Sequence, residues 1–435
     1  MKYSQFAKKL LRTNNLYSLG IYRNIFYFFL TILFSQGSTF FSGILIARVF
    51  NVEIFGKYSL ILSFINTLIT ICGLGLMSIA NRFVSEYKTR NQNGLVDIVI
   101  YFNKLLLWGG GVLLILALAF NNFLENEVLN IPLGRFGLMI ICFITITTSF
   151  NNLYTGILQG LLAYRKLCVA SVIYGVTYLF LTYSLSLYYS WNGAIFGIFI
   201  SSLLYFLLLL RYIIKEIPIG SIKRTLVKRS VNLTNYILPN FFIGLLSMPA
   251  IYLALRFLNA HTNSFKEVAF FNVSNSLITL AAIVPSLINT VVSSYLFTNT
   301  NNKQFFGRLF KNSLSFLIFI VLGEILMIFI LGKYILSLYG SEYQNGYNIL
   351  CILSFTLLLD IVTGSISNVL VAHKRMWHLF LIVSLPRDLF LIISSYFFTK
   401  YYGSLGLAWI LLITKLISLI LTSIAYNLNS RSNIN

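Results

Sequence analysis

The sequence predicts an all-α polytopic membrane protein of about twelve transmembrane helices in two six-helix lobes. Composition is the first reason. Of the 435 residues, 58% are hydrophobic and 10% charged, with mean hydropathy +0.83. A soluble domain needs about 25% charged residues to cover its surface. The second reason is length: apolar residues come in blocks that cross a hydrocarbon core of about 30 Å at about 1.5 Å per residue. The third is that Lys and Arg alternate from loop to loop, the pattern by which a multi-span chain orients itself.

The first 23 residues are polar and basic, with Lys2, Lys8, Lys9, Arg12 and Arg23. The apolar segment after them is too long for a cleaved signal and lacks small-residue cleavage chemistry, so it reads as an uncleaved first span, 25–47. Spans two to six follow at 58–80, 100–120, 136–158, 169–189 and 193–213. Next comes the most basic stretch of the chain, with Arg211, Lys215, Lys223, Arg224, Lys228 and Arg229, broken by Pro218 and Gly220. It divides the chain into an amino-terminal lobe (1–214), a cytoplasmic linker (215–232) and a carboxy-terminal lobe (233–435). The second lobe holds spans at 235–257, 269–296, 312–331, 346–370, 378–398 and 404–426.

Loop charges test this count. With the amino terminus in the cytoplasm, the cytoplasmic segments collect 23 basic residues. The opposite loops collect seven: Arg48, Lys57, Arg135, Arg256, Lys266, Lys333 and Lys400. A bias of this size, alternating loop by loop, collapses if one span is miscounted, and it places both termini in the cytoplasm. The net charge of +21 therefore faces anionic lipid, and no folded basic domain is present to bind nucleic acid. Cys72, Cys142, Cys168 and Cys351 lie in or beside spans without close spacing, so they read as free thiols, with no metal site, disulfide framework or cofactor. The longest outer loop, 121–135, has fifteen residues. That is too short for a catalytic domain, and it argues against a membrane enzyme of surface-sugar assembly.

The two halves echo one another. Ala163–Lys166 (AYRK) opens a loop before span five, and Ala372–Arg375 (AHKR) does the same before span eleven. A short break with glycine follows each time, at Gly193 and at Gly403 with Gly406. Such repetition is what a transporter built of repeats shows.

Four further motifs carry a family resemblance. They are Arg48–Tyr58 (RVFNVEIFGKY), Gly73-Leu74-Gly75 followed by Asn81-Arg82, Leu338–Tyr343 (LYGSEY), and Gly403–Ala408 (GSLGLA). In order and spacing they resemble the O-antigen flippase branch of the multidrug/oligosaccharidyl-lipid/polysaccharide (MOP) exporter superfamily, over essentially the whole chain. The resemblance implies a MATE/MOP-like fold in a bacterial inner membrane. It implies an alternating-access flippase for undecaprenyl-pyrophosphate-linked oligosaccharide, serving O-antigen or similar lipopolysaccharide biosynthesis. It also implies membrane lipids and other surface-polysaccharide assembly proteins as partners, and a proton or sodium as coupling ion. One departure is Ser293-Ser294 where the family often has proline late in span eight; Pro285 is present, so the helix shape there is in question.

A flipped glycolipid needs a polar, preferably cationic cavity. Asn275, Thr279, Ser286, Asn289 or Thr290, and Ser293 share one face of span eight, and Thr356, Asp360, Thr363 or Gly364, and Ser367 one face of span ten. Such stripes also serve as packing glue. Charges inside spans are costly, which singles out Glu324, Asp360, Arg387, Asp388 and Lys415. Asp360, Asp388 and Glu324 are ion-coupling candidates; a static pair of Asp360 or Asp388 with Lys415 is the plainer reading. Arg48, Arg82 and Arg256 sit at span ends, where they either snorkel to headgroups or capture the pyrophosphate with a planar fork. Arg82 and Arg387 are expected to matter most, with basic residues dominating the cavity. The candidate binding set is Arg48, Arg82, Arg256, Asn275, Asn289, Arg387 and Lys415. A cation-coupled multidrug antiporter of the same superfamily is the alternative; its coupling carboxylates are expected in span one or seven, which have none here, and Asp360 alone speaks for it.

Overall fold

The computed structural model describes residues 2–90, 92–129, 131, 133–217, 234–289, 303–372 and 376–432, and among these there is no β-strand. The main helices are α1 (Lys2–Val49), α2 (Val52–Gly73), α3 (Leu76–Arg90), α4 (Gln92–Ala119), α5 (Gly134–Gly160) and α6 (Tyr164–Glu216). The second half holds α7 (Thr234–Thr262), α8 (Phe265–Ala281), α9 (Ile283–Asn289), α10 (Lys303–Ser337), α11 (Tyr347–Ala372) and α12 (Leu385–Ser432). Of the central basic linker, Arg211 and Lys215 end α6, whereas Lys223, Arg224, Lys228 and Arg229 lie outside the described residues, as do Thr290, Ser293 and His373 to Arg375.

Local chemistry sets the breaks. Asn51 caps α2, accepting at Oδ1 from the Ile54 N–H (2.8 Å), and Ser264 caps α8, accepting from the Lys266 N–H (3.2 Å). Each supplies an acceptor to an amide that has no partner in the first turn. Leu74 and Gly75 take positive φ (51° and 64°) and make the elbow between α2 and α3. The α8–α9 pair bends by 40° just before Pro285, which lacks the N–H that would bond the carbonyl of residue 281. Pro285 thus accompanies the bend in the described part of span eight.

Nine helices among the described residues are long and apolar enough to cross a membrane, and the bent pair α8–α9 makes a tenth. Two of the nine, α6 and α12, are continuous runs of 53 and 48 residues, too long for one crossing. Each folds back on itself. Ser190 (φ 54°, ψ −141°) turns α6 and Gly403 (φ 53°, ψ −137°) turns α12, with the same backbone geometry. Ser171 Oγ and Tyr205 Oη, 3.1 Å apart, bridge the arms of the first hairpin. A Cβ on Gly193 would sit 2.0 Å from the Leu185 carbonyl oxygen, and one on Gly406 2.4 Å from that of Phe398. Only glycine lets the arms close so tightly. Counting each hairpin twice, the crossings number twelve, in agreement with the sequence, and the termini lie at the same end. Residues such as Trp108, Phe319 and Tyr188 project from the outside, more than three-quarters exposed, as lipid-facing side chains do.

The largest apolar cluster joins the two halves, combining Ile46, Phe55, Tyr58 and Leu60 with Tyr252, Leu258, Phe271 and Tyr343. It sits at the end away from the termini. There α2 meets α8 so closely that a Cβ on Gly56 would lie 1.9 Å from the Phe265 carbonyl oxygen. A second cluster, from Leu76 to Ile217, belongs to the first half alone.

Candidate functional site

Between the halves lies a cavity of about 760 Å³ lined from α1, α2, α5, α6, α7 and α8. Helical periodicity builds its polar wall. Ser59, Ser63, Asn66 and Thr70 recur every three or four residues on α2, and Asn272, Asn275, Ser276 and Thr279 do so on α8. Gln36 and Thr39 from α1 and Asn152 from α5 complete it, and Tyr58, Tyr178 and Tyr339 add aromatic surface. Asn272 Nδ2 donates across the halves to Ser59 Oγ (3.2 Å), and Ser276 Oγ lies 3.3 Å from Tyr339 Oη. Among the described residues, the side-chain amides of Asn66, Asn152 and Asn275 find no protein partner, so their donors and acceptors are free for a guest.

None of the described lining residues is Lys, Arg, Asp, Glu or His. The described residues of this wall are thus uncharged, where a cationic interior was expected. Four of the five cations expected there have acceptors elsewhere. Arg387 donates from Nε and Nη2 to its neighbour Asp388 (2.8 and 2.9 Å) and from Nη2 to Ser247 Oγ on α7 (2.7 Å), with Asp388 buried. A π-helical turn over Leu379–Ser384 precedes Pro386 and delivers this pair to α7. Lys415 Nζ bonds Asp360 Oδ1 (2.6 Å), joining α12 to α11. Asp360 does meet Lys415, but its side chain is 47% exposed and that of Lys415 34%, so this is not a buried pair. Asp388 pairs with Arg387 instead of Lys415, and Ser247 of α7 holds both, donating to Asp388 (2.9 Å) and accepting from Arg387 (2.7 Å).

Arg48 and Arg256 are both at the end away from the termini. Arg48 Nε donates to the Leu338 carbonyl (2.6 Å) and Arg256 Nε to the Val128 carbonyl (2.9 Å). Arg82 is exposed on α3 and is not among the lining residues. Asn289 accepts from Ser365 Oγ and Asn368 Nδ2 (both 3.4 Å), tying α9 to α11. Glu324 is half-buried on α10, and its Oε2 has no partner among the described residues. Among the described residues of the expected span-eight stripe, Asn275 and Thr279 reach the cavity. Gln36, Asn66, Asn152 and Asn272 were missed, although the α2 stripe of Ser59, Ser63, Asn66 and Thr70 was legible at helical spacing.

A family model described as polysaccharide biosynthesis protein matches residues 21–300. Among curated proteins none matches the sequence. Several solved structures share the fold. An inward-facing multidrug resistance MATE family transporter of the MOP superfamily superposes with TM-score 0.70 at 15% identity, over 92% of this chain and 95% of that one. The lipid II flippase MurJ, in an inward closed conformation, superposes with TM-score 0.69 at 19% identity, over 90% and 85%. A MOP superfamily transporter from Pyrococcus furiosus, described as having a binding pocket of reverse polarity, gives 0.70 at 16%, over 94% and 95%. The architecture is therefore MATE- and MurJ-like.

Proposed function

This chain belongs to the polysaccharide biosynthesis protein family, and from that premise we propose that it is a flippase for a lipid-linked oligosaccharide. The neutral amide-and-hydroxyl wall of the central cavity is the observation that carries this reading. Sugars present many hydroxyls and apolar C–H faces and no charge, so amides that both donate and accept, beside tyrosine rings, suit them. The volume falls within the roughly 300–1,000 Å³ of ordinary ligand sites. The membrane is a bacterial inner membrane, with both termini cytoplasmic and the Gly56–Phe265 contact at the outer end. The lobes 1–214 and 233–435 rock about the cavity, so that it opens first to the cytoplasm and then outward.

The diphosphate of the carrier is met outside this wall. Arg82, exposed on α3, receives it at the cytoplasmic side through charge-assisted hydrogen bonds. Asp360, with Lys415, is the coupling carboxylate, taking a proton or sodium as the pair opens. The substrate is an undecaprenyl-diphosphate-linked repeat unit of O-antigen or a similar glycan. Asp360 also favours a cation-coupled multidrug antiporter, but among the described residues the cavity wall holds no carboxylate that a cationic drug would seek.

Deletion of the gene should cause lipid-linked repeat units to accumulate, and restoring it should clear them. A deletion strain with normal surface glycan but raised drug sensitivity would transfer the assignment to the antiporter.

A further inference from the structure

The two arginines at the end away from the termini repeat in sequence and in space. Arg48-Val49-Phe50-Asn51 ends the first span and Arg256-Phe257-Leu258-Asn259 the seventh, 208 positions apart. Their acceptors, the carbonyls of Val128 and Leu338, lie 210 positions apart in equivalent loops, after the third and ninth spans. The exchange is reciprocal: the first half's arginine holds the second half's loop (2.6 Å), and the second half's arginine holds the first half's loop (2.9 Å). Tyr252 Oη adds a donor to the Val128 carbonyl (2.8 Å). Such self-complementary pairing is what a two-fold relation between repeats produces. Leu255 and Tyr339, each next in sequence to a member of this set, line the cavity, so the exchange caps the cavity's far end.

We infer that Arg48 and Arg256 are positioning residues for transport, a reciprocal latch that holds the outer mouth shut and releases as a pair. A guanidinium on a neutral carbonyl suits this task. It bonds more strongly than a neutral donor, yet its rupture strands no buried carboxylate. Both halves must let go together, because each loop is gripped by the arginine of the other half. The word outer rests on the proposed orientation; the latch itself does not rest on the substrate.

The test reads access to the cavity without any substrate. Asn275→Cys places a thiol on the cavity wall, and a membrane-impermeant maleimide is added to intact cells or to inverted vesicles, with the parent chain as control. Arg48→Gln and Arg256→Gln should each raise the outside labelling rate about tenfold, and lower the inside rate, with a larger effect in the double variant. Arg→Lys should fall between. Tyr252→Phe, which leaves both arginines, should give a smaller rise and keeps the test open where a Gln variant fails to accumulate. An unchanged ratio of outside to inside labelling in the double variant, at normal protein level, overturns the latch. The mirror-image change would keep the latch and overturn the proposed orientation.

Discussion

Gly56→Ala should open the molecule at one end. The Cβ it adds lies 1.9 Å from the Phe265 carbonyl oxygen and 2.7 Å from its carbon, where ordinary contact begins at 3.4 Å. The backbone of α8 cannot move aside as a flexible side chain would, so the α2–α8 contact must widen by about 1.5 Å. Overpacking of this kind costs about 1–3 kcal/mol. Because the contact joins the halves, that cost falls on the closed arrangement alone. The ratio of closed to open forms should then fall about 5- to 150-fold. The readout is maleimide labelling of Asn275→Cys from either side of the membrane. Gly156→Ala is the control: its Cβ would meet the Met77 carbonyl oxygen at 2.2 Å, equally crowded but within the first half. It should lower thermal stability and leave the labelling ratio alone. Equal labelling in Gly56→Ala and the parent, with protein intact, would refute the reasoning that this contact separates closed from open.

Other outcomes follow from the same geometry. Asn66→Leu with Asn275→Leu removes two unpaired amides from the cavity wall and should abolish surface glycan in complementation at unchanged protein level; full complementation would sink the saccharide site. Arg387→Ala leaves the buried Asp388 carboxylate without its cation and should cost about 3–5 kcal/mol in thermal unfolding, while the double change to alanine recovers most of it; a single variant as stable as the parent would show that Ser247 suffices. Asp360→Asn should impair transport with the protein still inserted, whereas loss from the membrane would make the Lys415 pair structural. Reporter fusions after Lys166, within Lys223 to Arg229 and after Arg431 should read cytoplasm, and those near Asn130 and Asn263 the opposite side; one inversion between neighbours would break the twelve-span topology.

The number of crossings was legible in the sequence because hydrocarbon thickness and rise per residue are both one-dimensional, and a hairpin such as that at Ser190 still reads as two apolar runs around Gly193. The repeat was legible too, through AYRK, AHKR and the glycines that close the hairpins. Helical spacing placed Asn275 and Thr279 on one face and had equal power to place Asn66 and Ser63. What that face meets is a different question. Arg387 and Lys415 stood out in the sequence as charges inside spans, yet neither is among the described residues that line the cavity, since Asp388 and Asp360 stand within reach of them. Arg48 and Arg256 were rightly marked as span-end cations, but their acceptors are backbone carbonyls nearly 300 and about 130 positions away, and a carbonyl carries no signature in the sequence. Periodicity decides which side chains travel together on a helix. Only the packing of twelve helices decides which of those faces is left open to a guest and which charge is already spent on a neighbour.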